Sequence, residues 1–374
     1  MKRKTRNTMK NTKQRRSYLA VLATGLILLA VVWAAGPKAN EPQPKDATVA
    51  FFLVGDTHLL ADKKDPTKLD ERSAALSSGL IDTLNKLPGT EIPKEAGGET
   101  VLPARGVVHA GDCIDTGERT KLKHRQTEWA AFTREFGLTG KDGRLKMPVY
   151  EVHGNHDSTR SDGLPVEQIS ERNKTRPGVT NISKNGLHYS WDWGNVHFVN
   201  LGIIVGQVEA VKRKRRFDPV GSLDFLVSDL KSKVGDSGRP VVITHHVDML
   251  RYSQSLPVED AKAEKLEWDP ADVKGYYDAL QGYNVAAILY GHTHARTIYR
   301  WDGSAKAAKE GIPVFNVSKS SHFASKTQAF FYIEIRQNLV TVREYQTKDG
   351  WESGSWTPQK WTAPVVRLGR RPRE

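Results

Sequence analysis

Asp56 and His58, Asp112, Asn155 and His156, the pair His245 and His246, and His292 and His294 lie far apart in the chain but share one setting. Each group follows a short apolar run rich in β-branched or aromatic residues: Val49–Val54, Val107–Ala110, Val149–Val152, Val241–Thr244 and Ala286–Tyr290. Such runs read as β-strands. In open α/β sheets binding sites form beyond the carboxyl ends of the strands, so the five segments are expected to converge. Two aspartates, an asparagine and four histidines suffice for two metal ions that share a carboxylate. Mixed nitrogen and oxygen ligands suit Zn, Fe, Mn, Co or Ni rather than Mg alone. Two such ions roughly 3.5–4 Å apart hold a bridging hydroxide at neutral pH and neutralise the charge of an in-line displacement at phosphorus. The chemistry expected is hydrolysis of phosphate mono- or diesters.

Written as motifs, the segments are GDTH (Gly55–His58), GDCID (Gly111–Asp115), GNHD (Gly154–Asp157), THH (Thr244–His246) and GHTH (Gly291–His294). In this order they resemble the five blocks of the calcineurin-like metallophosphoesterase superfamily. The resemblance implies an α/β fold, a four-layer αββα sandwich of two mixed β-sheets flanked by helices. It implies that Asp56, His58 and His294 hold one ion, that Asn155, His245 and His292 hold the other, and that Asp112 bridges them. Val247 stands where a proline usually follows the HH block, which leaves both His245 and His246 open as the ligand; the position directly at the strand end favours His245. His156 is implied to face the phosphate, stabilising its oxygens or protonating the leaving group, and Asp157 to orient that imidazole. Gly55, Gly111, Gly154 and Gly291 are expected where a missing Cβ lets the backbone take positive φ or approach the metals. Purple acid phosphatases, a branch of the superfamily, have a tyrosine three residues beyond the bridging aspartate. Asp115 stands there in this chain, so no ferric tyrosinate is expected. Nucleases and non-catalytic binding modules also occur among such proteins; the intact ligand set argues against the latter.

The elements that must position these residues follow from periodicity. Amphipathic stretches at Leu69–Leu87, Arg125–Phe136, Ser222–Lys233 and Asp272–Gln281 read as helices. Val196–Leu201, Val314–Val317, Phe330–Ile335 and Leu339–Tyr345 read as further strands, giving an α/β order first and paired strands later. The folded domain is expected over 48–350, with loop insertions at 88–105 and 158–186 and a tail over 351–374. Trp191 and Trp193 alternate with polar residues as in an edge hairpin and are expected to pack. His109, His153, His188, His197 and His322 fall outside the motifs and read as structural. Cys113, the single cysteine of the 374 residues, excludes an internal disulfide and a cysteine zinc site.

Charge is concentrated in segments. Of a formal net charge of +13, the first seventeen residues contribute Lys2, Arg3, Lys4, Arg6, Lys10, Lys13, Arg15 and Arg16 and no acidic side chain, while Lys212–Arg216 forms a second basic run. The basic balance is therefore weak support for nucleic acid as a partner, although Lys212–Arg216 offers a candidate site for an anionic ligand. Residues 18–36 carry no charge. That length approaches a bilayer span, and the small residues Ala34, Ala35 and Gly36 also suit a cleaved signal. Either reading, with the basic arm 1–17 on the cytoplasmic side, places the body outside the cytoplasm, secreted, periplasmic or membrane-anchored. The Pro-rich stretch 37–47 reads as a linker.

Overall fold

Strand alternation sets the layers. In β1 (Val49–Val54) all six side chains are buried, Val49, Phe51 and Leu53 in one apolar cluster and Ala50, Phe52 and Val54 in another. A strand buried on both faces belongs to the middle of a layered fold. The computed structural model of the chain describes residues 48–117, 122–206, 211, 214–251 and 267–369. The basic arm, the uncharged stretch 18–36 and the linker lie outside the described residues. Among the described residues no helix is long and apolar enough to cross a membrane.

Two sheets form the centre. In the first, β1, β2 (Val107–His109) and β3 (Val149–Glu151) run parallel, and β11 (Gln328–Arg336), β12 (Leu339–Thr347) and β13 (Ser355–Pro364) extend the sheet antiparallel from the other side of β1. In the second, β6 (Val196–Asn200), β7 (Pro240–Thr244), β8 (Asn284–Tyr290) and β10 (Ile312–Asn316) are parallel. Beside them lie β5 (Tyr189–Trp193) and β4 (Val179–Ile182) at one end, β9 (Thr297–Trp301) at the other, and the short β14 (Val366–Arg367) against the start of β8.

Three apolar cores make this a four-layer αββα sandwich. The first lies between sheet one and helices α1 (Glu71–Lys86), α2 (Leu122–Glu135) and α3 (Leu164–Thr175). The second lies between the sheets, where Phe51, Phe331 and Ile333 meet Trp191, Phe198 and Val242. The third joins sheet two to α4 (Ser222–Asp229), which continues into a π turn at Leu230–Val234, and α5 (Pro270–Ala279). The helices begin where the sequence supplies caps: Asp70 accepts the Ser73 amide at 3.0 Å, and Asp269 accepts the Ala271 amide at 2.8 Å ahead of Pro270.

Two expectations about connecting segments are corrected. Residues 158–186 are not all loop; they contain α3 and the edge strand β4. The buried face of α3 is short, Pro165, Val166, Ile169 and Asn173, and its last turn is anchored by polar contacts such as Asn173 Nδ2 to the Gly186 carbonyl at 2.8 Å, which leaves little apolar periodicity to read. Residues 351–374 are not simply a tail, because β13 and β14 complete the two sheets. Their Pro-containing sequence with few aliphatics hides a strand that pairs through backbone. Trp191 does pack, stacked on Tyr150 with ring centroids 4.2 Å apart, though β4, not β5, forms the edge.

His188 ties the start of β5 to the loop ahead of α4. It is buried, its Nε2 donates to the Val220 carbonyl at 3.1 Å, and burial pushes its pKa down to about 4. An unfolded histidine titrates near 6.5. The folded state therefore takes up this proton later than the unfolded chain, so the contribution to stability is complete above about pH 6.5 and is lost as pH falls towards 4. His188→Gln, which keeps a donor for Val220, is expected to flatten the fall of unfolding free energy over that window by up to one proton, about 1.4 kcal/mol per pH unit. Urea midpoints at pH 7, 5.5 and 4.5 check this; identical slopes for both proteins would refute it.

Candidate metal centre

The parallel ladders continue past the ends of β1 and β2 into the loops. The Asp56 amide donates to the Gly111 carbonyl and the His58 amide to the Asp112 carbonyl, each at 3.0 Å. Five of the expected ligands then adopt left-handed backbone: Asp56 (φ 52°), His58 (φ 44°), Asp112 (φ 53°), His292 (φ 71°) and His294 (φ 56°). This conformation costs non-glycine residues roughly 1–2 kcal/mol each, and its concentration here marks a geometry held by the surrounding structure. Two glycines act through close approach. A Cβ on Gly154 would lie 2.2 Å from Asp112 Oδ1, and one on Gly291 would lie 2.5 Å from Asp56 Oδ2.

The side chains form two groups that share one carboxylate. Asp56, His58, Asp112 and His294 bring ligand atoms within 4.8 Å of one another, as do Asp112, His246 and His292. Asp112 Oδ2 lies 3.4 Å from His58 Nε2 and 3.2 Å from His246 Nε2. His294 Nε2 lies 3.2 Å from His58 Nε2 and 3.3 Å from Asp56 Oδ1, while Asn155 Oδ1 lies 3.2 Å from His246 Nε2.

Three of the imidazoles are fixed through their second nitrogens. His58 Nδ1 faces Asp115 Oδ1 at 3.1 Å, His246 Nδ1 faces the Ala110 carbonyl at 2.7 Å, and His292 Nε2 faces Glu267 Oε1 at 3.1 Å. Ligating histidines are held by such outer acceptors, which set the tautomer and raise basicity. Without a cation the carboxylates draw protons onto the His58 and His246 rings. Burial opposes this but is outweighed: Asp112 and Asp115 raise His58 to about 10, and Asp112 and Asp56 raise His246 to about 9. Asp112 is held well below the usual carboxylate range, because the His246 and His58 imidazoles outweigh its burial. Two carboxylates, an amide oxygen and four imidazoles, with Asp112 common to both groups, are donors that fit two divalent cations.

The structure brings together Asp56, His58, Asp112, Asn155, His292 and His294, but His246 rather than His245 completes the set. The expectation for His245 is corrected by strand parity. Val242 of β7 faces the other sheet, whereas Val241, Ile243 and Val247 face the helices. Continuing the alternation, His246 points towards the gap between the sheets and His245 towards α5. The His245 ring lies 5.5 Å from the rings of both Trp268 and Tyr276, with both its nitrogens unpartnered among the described residues, and burial pushes its pKa down to about 3.

Asp157 is also placed differently from expectation. Its carboxylate accepts the amides of Gly154 (2.8 Å), Ile114 (3.0 Å) and Cys113 (3.1 Å), stitching the second and third ligand loops together. The His156 imidazole is oriented by Asp115 instead, through Nδ1 and the Asp115 carbonyl at 3.0 Å, while the His156 amide donates to Asp112 Oδ1 at 2.7 Å. Asp115, three residues beyond Asp112, thus steadies both His58 and His156.

Reading motifs alone missed Asp115 and Glu267 as partners, and it missed His322, whose ring centroid lies 4.4 Å from His58 and 4.7 Å from His294. One signal was available: His322 follows β10, the parallel neighbour of β8, as His292 follows β8. In the basic run, Arg215 pairs with Asp272 and Arg216 with Glu267, so these two cations already have carboxylate partners within the chain.

A model of the family described as calcineurin-like phosphoesterase matches residues 49–296. Purple acid phosphatase 23 of Arabidopsis thaliana is 29% identical over 154 residues, a match that takes in 40% of this chain and 29% of that protein's length. Among solved structures, a dimetal phosphatase from Danio rerio superposes with a TM-score of 0.51 at 14% identity, covering 85% of this chain and 99% of the other. Purple acid phosphatase PPD1 from yellow lupin (Lupinus luteus) seeds superposes with a TM-score of 0.52 at 14% identity, covering 89% of this chain and 58% of the other. At these identities the two structures bear on the fold.

Proposed function

The chain belongs to the calcineurin-like phosphoesterase family, hydrolases of phosphoester bonds with a dinuclear metal centre, and from that premise we propose that it hydrolyses phosphate mono- or diesters outside the cytoplasm. The observation that carries the reading of the site is the Asp112 carboxylate shared by two ligand groups. On this reading Asp56, His58 and His294 hold one ion, Asn155, His246 and His292 the other, and Asp112 both. Two divalent ions supply Lewis acidity towards the phosphoryl oxygens and an activated water.

The chain's own residues then do the rest. Asp115 and Glu267 hold His58 and His292 in orientation. Asp157 keeps the loops bearing Asp112 and Asn155 in register through three amides. His156 donates its Nδ1–H to the Asp115 carbonyl, which leaves Nε2 as the nitrogen that gives a proton to the leaving oxygen from the doubly protonated ring and is left with its lone pair. His156→Ala is accordingly expected to keep both ions and lose turnover by ~10²–10⁴-fold; metal analysis of the purified variant checks the first half, and loss of an ion would show that His156 is a ligand.

Export is supported by the uncharged stretch 18–36 behind the basic arm 1–17. Alkaline carbonate extraction of membranes from cells expressing the full chain separates the two forms: release into the soluble fraction ends the anchor reading. For the activity, the test is hydrolysis of p-nitrophenyl phosphate and bis(p-nitrophenyl) phosphate by the full chain loaded with Mn, Fe, Zn, Co or Ni. Faster turnover of the diester assigns a phosphodiesterase, faster turnover of the monoester a phosphatase, and no turnover with two ions bound overturns the proposal.

A further inference from the structure

His322 lies outside every motif and yet faces the centre. Its loop follows β10 and is fastened to the first ligand loop at several points. The Ser320 amide donates to the Gly55 carbonyl at 2.9 Å, the Gly55 amide donates to Ser320 Oγ at 3.2 Å, and Ser321 Oγ donates to the Thr57 carbonyl at 3.2 Å. The bonds fall on either side of Asp56 and fasten the two loops together. The ring stacks on Phe323 with centroids 4.8 Å apart and 19° between planes, which fixes its direction. A ligand-capable nitrogen of His322 comes within 4.8 Å of those of His58 and His294.

The outer nitrogen decides what the ring does. His58, His246 and His292 each turn the outer nitrogen to an acceptor, the arrangement that leaves a lone pair for a metal on the inner one. His322 is reversed. Its Nδ1 accepts the Ala324 amide at 3.0 Å, so in the neutral ring the proton sits on Nε2. A nitrogen that carries a proton cannot ligate a cation, but it can donate to an oxygen. His156 shows the opposite tautomer, with its Nδ1 donating to the Asp115 carbonyl. The two rings both pack on His58, with centroids 4.5 Å away for His156 and 4.4 Å for His322, and they offer complementary atoms: a lone pair on one and an N–H on the other.

We propose that His322 is a phosphoryl-binding residue, its Nε2–H donating a hydrogen bond to a non-bridging oxygen of a phosphate group seated at the metal centre. This rests on the proposed function for its substrate class. A non-bridging oxygen is present in phosphate monoesters, diesters and inorganic phosphate alike, so the contact serves each of them. Because the donor is held by a loop bonded to the ligand loop, it is in place before the phosphate arrives.

The test uses the full chain loaded with Mn and inorganic phosphate as the probe, with metal content measured alongside. His322→Ala is expected to keep both ions while weakening phosphate binding, read by calorimetry, by about 10- to 100-fold, the scale of a hydrogen bond to a charged group. His322→Gln, which keeps an N–H donor, is expected to recover part of that loss. Where esters are turned over, kcat/KM should fall with the phosphate affinity. Loss of an ion in His322→Ala would make it a ligand and overturn the proposal, as would unchanged phosphate affinity with both ions present. A thermal melt of each variant separates these outcomes from misfolding, and His322→Gln decides if the alanine variant fails to fold. If the parent chain binds phosphate but hydrolyses no ester, the proposed activity fails while the His322 contact is still decided by the affinities.

Discussion

Asp112→Ala is expected to lose both metal ions and, with them, turnover by more than ~10³-fold, the scale on which a single preorganised electrostatic group acts. The size of the effect follows from sharing. Asp112 Oδ2 lies within 3.4 Å of His58 Nε2 in one ligand group and 3.2 Å of His246 Nε2 in the other, so removing it takes a ligand from each ion at once. The same carboxylate accepts the His156 amide through Oδ1 at 2.7 Å, so the loop that carries Asn155 and His156 also loses one of its tethers, leaving those made by Asp157. A variant at Asp56, whose side chain belongs to one ligand group and meets the other only by accepting the His292 amide at 3.0 Å, should by contrast keep one ion. Metal analysis of the purified proteins after dialysis reads the difference. Two ions retained by Asp112→Ala would remove the bridging role and the dinuclear reading built on it.

The second large effect separates two adjacent histidines. His246→Ala is expected to lose the ion of the Asn155 and His292 group and to lower turnover by ~10²–10³-fold. His245→Leu should keep both ions and most of the activity. His245 is buried with neither ring nitrogen partnered among the described residues, and an unsatisfied buried polar group costs roughly 1–3 kcal/mol. An apolar side chain of similar reach is therefore expected to leave the fold as stable as before or more so. Metal content and melting temperature, measured on both variants, are the two readouts. If His245→Leu loses the ion and His246→Ala keeps it, the parity argument fails.

That parity was open to reading in the sequence. Val242 and His246 are four residues apart and Val241 and His245 likewise, so assigning either valine to a face would have assigned its histidine. What the sequence lacked was which face lay between the sheets. β7 is buried on both sides, and a run of Val, Val and Ile gives no polar face from which to infer the direction of the site.

The residues of chemistry were legible because they sit at strand ends next to glycines, and a strand end in a parallel sheet has one geometric meaning. Asp56, His58, Asp112, Asn155, His292 and His294 need only local sequence to be found and only the parallel order β1, β2 and β3 with β7 and β8 to be gathered. Their partners are another matter. Asp115 reaches His58 across 57 positions in the chain and Glu267 reaches His292 across 25, and a lone carboxylate in a loop carries no periodic or motif signal. Asp157, three residues from the Gly154 amide it accepts, was visible, but its direction was not: its carboxylate turns into the backbone of two loops rather than towards the neighbouring ring. β13 and β14 escaped for a related reason, since their pairing is made by backbone hydrogen bonds, which leave no side-chain pattern to read. The sequence by itself determined the candidate ligand types, the strands that carry them and the class of chemistry, because these depend on composition and short-range order. Only the tertiary structure decided which of the two adjacent rings turns to the gap between the sheets, which nitrogen of each ring meets an outer acceptor and which group supplies it, because those depend on directions set by packing between segments far apart in the chain.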